Sequence, residues 1–307
     1  MNTEMECPVK EAEPRPLGSG ERHRSLTVAA PMSVTFIRPA RAWQPINFRE
    51  LWRYRELIYI LAWRDVKVRY KQTLLGAAWA VLQPGLMMVV FTIFFGRLAH
   101  VSSGGVDYSV FVYAGLLPWT FFATAITSAG NSVVGSERLI TKVYFPRLAV
   151  PLASVGAAVA DSFIACGLLL VLMLCYGVVP GASLLLAPLF LAIILLAAVG
   201  VGTLLAALNV AYRDFRYVIP FLMQFWMFAT PTVYMQTGDD VSNVVRFFLE
   251  MNPMTGLVAA FRAAVLGEAS GAIPWFSVAL AMALSLLAFF VGCLYFRRVE
   301  DSFADVI

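Results

Sequence analysis

"AWRDVKVRYKQTLLGAAWAVLQPGLMMVVFTIFFGRLA", Ala62 to Ala99, carries Arg64, Lys67, Arg69 and Lys71 in its first ten residues, then no charge from Leu74 to Gly96. A membrane-crossing helix takes about 20 mostly apolar residues, so the second half reads as a span at 74–96. Working outward, five more stretches qualify: 108–134, 148–176, 185–208, 217–235 and 275–296, none with a Lys or Arg. The 307-residue chain is 60% hydrophobic and 14% charged, with a mean hydropathy of +0.76. A soluble domain is about 45–50% apolar and about 25% charged. This chain has too little polar surface to cover a soluble body of its size. The expected fold is an all-α integral membrane protein with six transmembrane helices.

The loops fix the orientation. Segments 49–73, 136–147, 209–216 and 297–307 hold fourteen Lys and Arg residues, whereas 97–107, 177–184 and 236–274 hold three. Cytoplasmic loops are enriched in basic residues, which places both termini in the cytoplasm, as an even number of spans requires. Residues 1–48 are polar, broken by six prolines and without an apolar core of signal length. They are expected to be a disordered cytoplasmic tail, its Arg22, His23 and Arg24 either solvated or touching anionic lipid. The membrane domain runs over 74–299, and 300–307 form a short cytoplasmic tail.

Arg49, Arg53, Glu56, Ile60, Arg64, Lys67 and Lys71 follow one another at spacings of three and four, one stripe of an α-helix. Leu51, Trp52, Tyr54, Leu57, Ile58 and Leu61 lie on its other faces. The pattern predicts an amphipathic interface helix over 49–73 in the head-group plane, basic side to the cytoplasm. Gln83-Pro84-Gly85 should kink the first span. Between spans five and six, 243–250 and 254–266 are apolar but too short to cross. They suit re-entrant or gate helices at an outer opening, or helices lying on the membrane surface. Four cysteines form no CxxC pair and two histidines have no ligand partners at metal spacing, so no metal site is expected.

The stretch from Arg64 to Phe95, "RDVKVRYKQTLLGAAWAVLQPGLMMVVFTIFF", resembles the start of the ABC-2 type permeases that export O-antigen, capsule and teichoic-acid polysaccharides. "LITKVYFPRLAVPLA" (Leu139 to Ala153), "NVAYRDFRYVIPFLMQFWMFATPTVY" (Asn209 to Tyr234) and "NPMTGLVAAFR" (Asn252 to Arg262) are similar to later parts of that family, in the same order. The resemblance covers about Phe48 to Val299. It implies a permease subunit in the bacterial inner membrane that works as a homodimer with two ATPase subunits. Its substrate is then a lipid-linked polysaccharide, with membrane lipids and envelope-spanning export proteins as further partners and no nucleic acid. This chain has no GxxxxGK[ST] loop, and Gly-Lys does not occur in it. Nucleotide chemistry is therefore not expected here; ATP and Mg belong to the partner.

Within this frame Glu137, Arg138, Leu139, Ile140, Thr141 and Lys142 resemble the coupling helix that docks on the ATPase. Ser136 is the expected cap, and Leu139, Ile140 and Val143 the face to bury. Arg64, Lys67 and Arg69, with Arg213, Asp214 and Arg216, are candidates for the substrate entrance, where a pyrophosphate head group needs cations; topogenic charge accounts for them as well. Tyr113, Trp119, Phe122, Phe225, Trp226, Phe228 and Tyr234 are candidates to line the channel, since sugar C–H faces sit on aromatic rings, although interfacial anchoring uses the same residues. Asp161 is the one carboxylate inside a predicted span and costs roughly 2.5–3.5 kcal/mol to insert charged. It either lines the path, pairs with a cation such as Arg213, or hydrogen-bonds a Ser or Thr on a neighbouring helix. Asn252, Pro253 and Arg262 are the outer-gate candidates. An exporter of lipid or drug, a membrane-bound transferase and an assembly protein are the competing readings; no clustered acid, base or metal group supports the transferase.

Overall fold

In the computed structural model, the described residues are 48–71, 78–98, 105–179, 181–232, 248–249, 251–267, 271–300 and 303. The chain divides into two units, 1–39 and 40–307, and all described residues belong to the second. The expected tail over 1–47, Tyr234 and most of the predicted helix at 243–250 lie outside the described residues.

The described residues with regular structure are helical. Helix α1 is Phe48–Arg53 and α2 Arg55–Lys71. Helix α3, Ala78–Phe91, continues as a π-helical stretch, Thr92–Leu98. Then come α4 Tyr108–Gly135, α5 Glu137–Lys142 and α6 Ala149–Cys175. A 3₁₀ turn, Ala182–Leu186, leads into α7 Ala187–Ala211. Helices α8 Phe215–Phe228, α9 Pro253–Leu266 and α10 Trp275–Val299 follow. Among the described residues five helices are long and apolar enough to cross a membrane.

The fifth predicted span differs. Helix α8 has 14 residues, about 21 Å at 1.5 Å per residue, not the 19 of 217–235. Hydropathy does not see the break at Thr230-Pro231, where the missing proline N–H and its clash with the preceding residue end a helix. Pro84 does not end its helix: α3 continues on both sides of it.

Helix α4 is the central element, with α3, α6, α7, α8 and α9 packed around it. In its most apolar stretch 78% of residues are buried, against 6% for α3, which therefore lies at the rim of the bundle. Lipid supplies no hydrophobic force between helices, so close backbone approach through small residues holds them together. The tightest crossing is α7 on α10. A Cβ built on Gly292 would lie inside the van der Waals radius of the Gly200 carbonyl oxygen and 2.8 Å from the Thr203 hydroxyl. Asn209, buried on α7, ties the same helix to α4 by donating to the Gly130 carbonyl (2.9 Å) and the Asn131 side chain (3.2 Å).

Helix α2, with α1, covers most of the expected interface helix and packs along α6. All seven residues of the basic stripe are exposed, and another face of α2 lies along α6. Leu61 is buried, and a Cβ on Gly156 would meet the Ala62 Cβ at 2.7 Å. Arg69 then reaches Asp161, so the two helices run side by side in the same direction. Helix α9 settles into the bundle against α4, α7 and α10, with twelve of its fourteen residues buried, so it is no surface helix.

Candidate functional site

Two groups of functional side chains lie at opposite ends of α4. At its C-terminal end, α2, α4 and α6 enclose a cleft of about 390 Å³. Its polar lining includes Arg64, Asp65, Arg69, Ser128, Asn131 and Ser154. Arg69 forms an ion pair with Asp161, Tyr70 donates its hydroxyl to the same carboxylate, and Arg69 also donates to Ser128 at 3.3 Å. One carboxylate on α6 thus takes two donors from the end of α2. Burial first, then the bond to Asp161, pushes the Tyr70 phenol up to about 12, so it stays a proton donor across the physiological range.

This corrects the expectation for Asp161: its cation is Arg69, not Arg213. Ion pairing also removes Arg69 from the freely available cations at the entrance. Arg64 is held by Asp65 at 2.8 Å, and Lys67 is exposed above the Trp63 ring at 5.4 Å. Arg213, Asp214 and Arg216 are exposed at the α7–α8 turn and do not line the cleft.

Beside the cleft, α5 projects from the bundle. Ile140 is buried in a cluster with Val133, Phe145, Phe296 and Phe303, against which Leu57 and Ile58 of α2 also pack. Leu139 is half-buried, and Glu137, Arg138, Thr141 and Lys142 are exposed. Of the face expected to be buried, Ile140 is packed inside its own chain, Leu139 is half-buried and Val143 is exposed. The helix ends at Lys142, and Val143 turns extended, leaving Val143 and Tyr144 outside at 53% and 80% exposure. Ser136 occupies the cap position without a side-chain cap bond.

Along the N-terminal half of α4, Tyr113, Trp119 and Phe122, candidates for the channel lining, are buried within the protomer. The Trp226 ring lies 6.4 Å from that of Trp119 and 5.2 Å from that of Phe122, so it too belongs to this cluster. Phe225 and Phe228 are exposed, and Tyr217 and Phe221 continue the same stripe at spacings of four, four and three. The opposite face of α8 buries Ile219, Met223 and Met227. Asn252 caps α9, accepting from Met254 N at 3.1 Å and from Trp226 Nε1 at 3.0 Å. It also donates to the Thr230 hydroxyl at 2.9 Å. Arg262 is buried and donates to the Thr232 carbonyl.

A family profile described as ABC-2 type transporter matches residues 56–266. The chain belongs to that family. The O-antigen export system permease protein RfbA of Myxococcus xanthus is 31% identical over 215 residues, 70% of this chain and 82% of the relative. A protein of the same description from Klebsiella pneumoniae is 24% identical over 253 residues, 82% of this chain and 95% of its own length. The polysialic acid transport protein KpsM of Escherichia coli is 21% identical over 245 residues, 78% and 92% of the two chains.

In this ABC-2 chain several candidate functional side chains escaped the sequence reading. Tyr70 and Ser128 carried no signal, since their roles arise only when α2 lies on α4 and α6. Tyr144 did carry one: an aromatic residue two positions past a six-residue helix in a basic loop has little to pack against.

Proposed function

We propose that the chain is the membrane subunit of an exporter that moves a lipid-linked cell-surface polysaccharide from the cytoplasm across the bacterial inner membrane. The work comes from ATP hydrolysis in a separate subunit. The observation that carries this reading is the Myxococcus xanthus relative, an O-antigen export permease matched over 82% of its length. In this reading α8 is the fifth of six crossings and both termini are cytoplasmic, as the basic loops favour. The cleft between α2, α4 and α6 then faces the cytoplasm, and the exposed cations Arg64, Lys67, Arg213 and Arg216 stand at the entrance.

Two copies make the conduit. Six helices close poorly around a sugar polymer, and one protomer leaves both α3 and the aromatic stripe of α8 uncovered. Tyr217, Phe221, Phe225 and Phe228 then form the lining: apolar ring faces that a polysaccharide slides over through many weak contacts. Phe221→Ala combined with Phe225→Ala is expected to slow export several-fold while thermal stability stays within about 0.5 kcal/mol, because exposed side chains contribute little to folding. Pulse-chase appearance of polysaccharide at the cell surface measures this.

The exposed tip of α5, with Glu137, Arg138, Thr141, Lys142, Val143 and Tyr144, is the proposed contact with the ATPase. Val143→Asp combined with Tyr144→Asp is expected to remove transport-coupled ATP hydrolysis in proteoliposomes without loss of folded protein. Ile140→Asp instead buries a charge in the α5 cluster and is expected to lose the fold. Parental coupling in the double variant counts against this contact.

The function itself is tested by depletion in the producing cell. Lipid-linked glycan should accumulate on the cytoplasmic leaflet while surface polysaccharide falls. Unchanged surface polysaccharide rejects the proposal.

A further inference from the structure

Arg262 has an unusual seat for a cation. It lies in the third turn of α9 and is 5% exposed. Its guanidinium carbon sits 3.9 Å from the centre of the Phe111 ring, and one terminal nitrogen donates to the Thr232 carbonyl at 2.5 Å. Its Nε has no hydrogen-bond partner. The seat is built by α4. Phe111 and Gly115 are four residues apart and therefore on one helix face, the ring serving as floor and the glycine as a notch beside it. A Cβ on Gly115 would overlap both the Arg262 guanidinium and the Thr232 carbonyl oxygen. Three separate pieces of chain meet in that notch: α4, α9 and the turn that follows α8.

Folding stability does not explain the choice of side chain. An apolar residue of similar length would fill the notch without desolvating a charge or leaving a donor unsatisfied. It would not grip the Thr232 carbonyl. The other end of the same helix holds the same turn, because Asn252 accepts from Trp226 and donates to Thr230. Helix α9 therefore clamps the last turn of α8 at Trp226 and the turn that follows it at Thr230 and Thr232. Otherwise α8 is anchored in the protomer by side-chain packing, with Ile219, Met223 and Met227 buried and Leu222 and Trp226 packed beside them.

We propose that Arg262 is a positioning residue for export: as the pin of this clamp, it sets where the end of α8 stands and so where the stripe Tyr217, Phe221, Phe225 and Phe228 points. The importance of that direction rests on the lining role proposed above; the clamp itself does not.

The test separates the two. Phe228→Cys is placed in a Cys175→Ser background, which removes an exposed native thiol. The labelling rate of the new thiol by a membrane-impermeant reagent is then compared with and without Arg262→Met, in proteoliposomes without cargo. Export and melting temperature are measured for Arg262→Met in the otherwise native chain. The expected result is a labelling rate changed several-fold and export lowered about tenfold, with melting unchanged or raised. Parental labelling, or melting that falls in step with export, overturns the proposal. If Arg262→Met yields no folded protein, Arg262→Lys decides. Lysine keeps the charge but lacks the planar fork needed to stack on Phe111 and reach Thr232 together. Shifted labelling with parental melting then supports the pin, and parental labelling rejects it. A folded chain with shifted labelling that carries no glycan keeps the clamp and rejects the cargo.

Discussion

Asp161→Ala should lower export about tenfold, a larger loss than removing any single exposed cation of the entrance. Its carboxylate takes both Arg69 and Tyr70, so truncation strips two donors at once. The side chains of the pair are 35% and 24% exposed. Exposed pairs contribute about 0–1 kcal/mol, and breaking a buried pair costs 3–5. A loss of roughly 1–3 kcal/mol is the reasonable figure between those limits. The damage should fall on the position of α2 against α6 rather than on membrane insertion. Asp161→Asn keeps one acceptor oxygen, whereas Arg69 and Tyr70 now use two, and it loses the charge, so it should fall between the parent and alanine. A double-mutant cycle with Arg69→Ala checks the coupling, since partners in one network deviate from additivity. Melting and export unchanged in both Asp161 variants would make the pair a bystander.

Gly292→Leu should abolish the folded protein. At the α7–α10 crossing the space beside Gly292 is already taken by the Gly200 carbonyl and the Thr203 hydroxyl. Backbone cannot rotate away as a side chain does, so even Gly292→Ala must push the two helices apart. Overpacking typically costs about 1–3 kcal/mol, and here the obstructing atoms are main chain, which places leucine at the upper end or beyond. Folded yield after detergent extraction, followed by size-exclusion chromatography, measures the loss. A leucine variant that elutes and melts like the parent would show that the two helices separate at little cost.

These two sites were unequally legible in the sequence. Long charge-free runs announced the spans, because a single Lys or Arg inside lipid is costly enough to be avoided. The seven-residue stripe of α1 and α2 was equally plain, since helical spacing repeats locally. Asp161 was visible as an anomaly, but its partner sits 92 residues earlier in the chain, and no local rule names a partner at that range. The aromatic residues failed differently. Phe and Trp suit lipid, core and lumen alike, so composition gave no basis for separating buried Phe122 from exposed Phe225. Val143 had the right spacing to join the buried face of α5, yet the helix stops one residue before it and turns it outward. Gly115 offered no cue, and Arg262 stood out only as a gate candidate, its seat against α4 being formed by residues more than a hundred positions away.

Helix α4 has 28 residues, about 42 Å of rise, in a bilayer whose oily interior measures about 30 Å. The excess is near 12 Å, comparable to the stretch from Ser128 to Gly135 that walls the cleft with α2. On the proposed orientation, the motor subunit then grips a protein collar standing clear of the head groups. Its grip should be indifferent to acyl-chain length: reconstitution into shorter or longer lipids should alter helix tilt and glycan passage before it alters how tightly the ATPase binds.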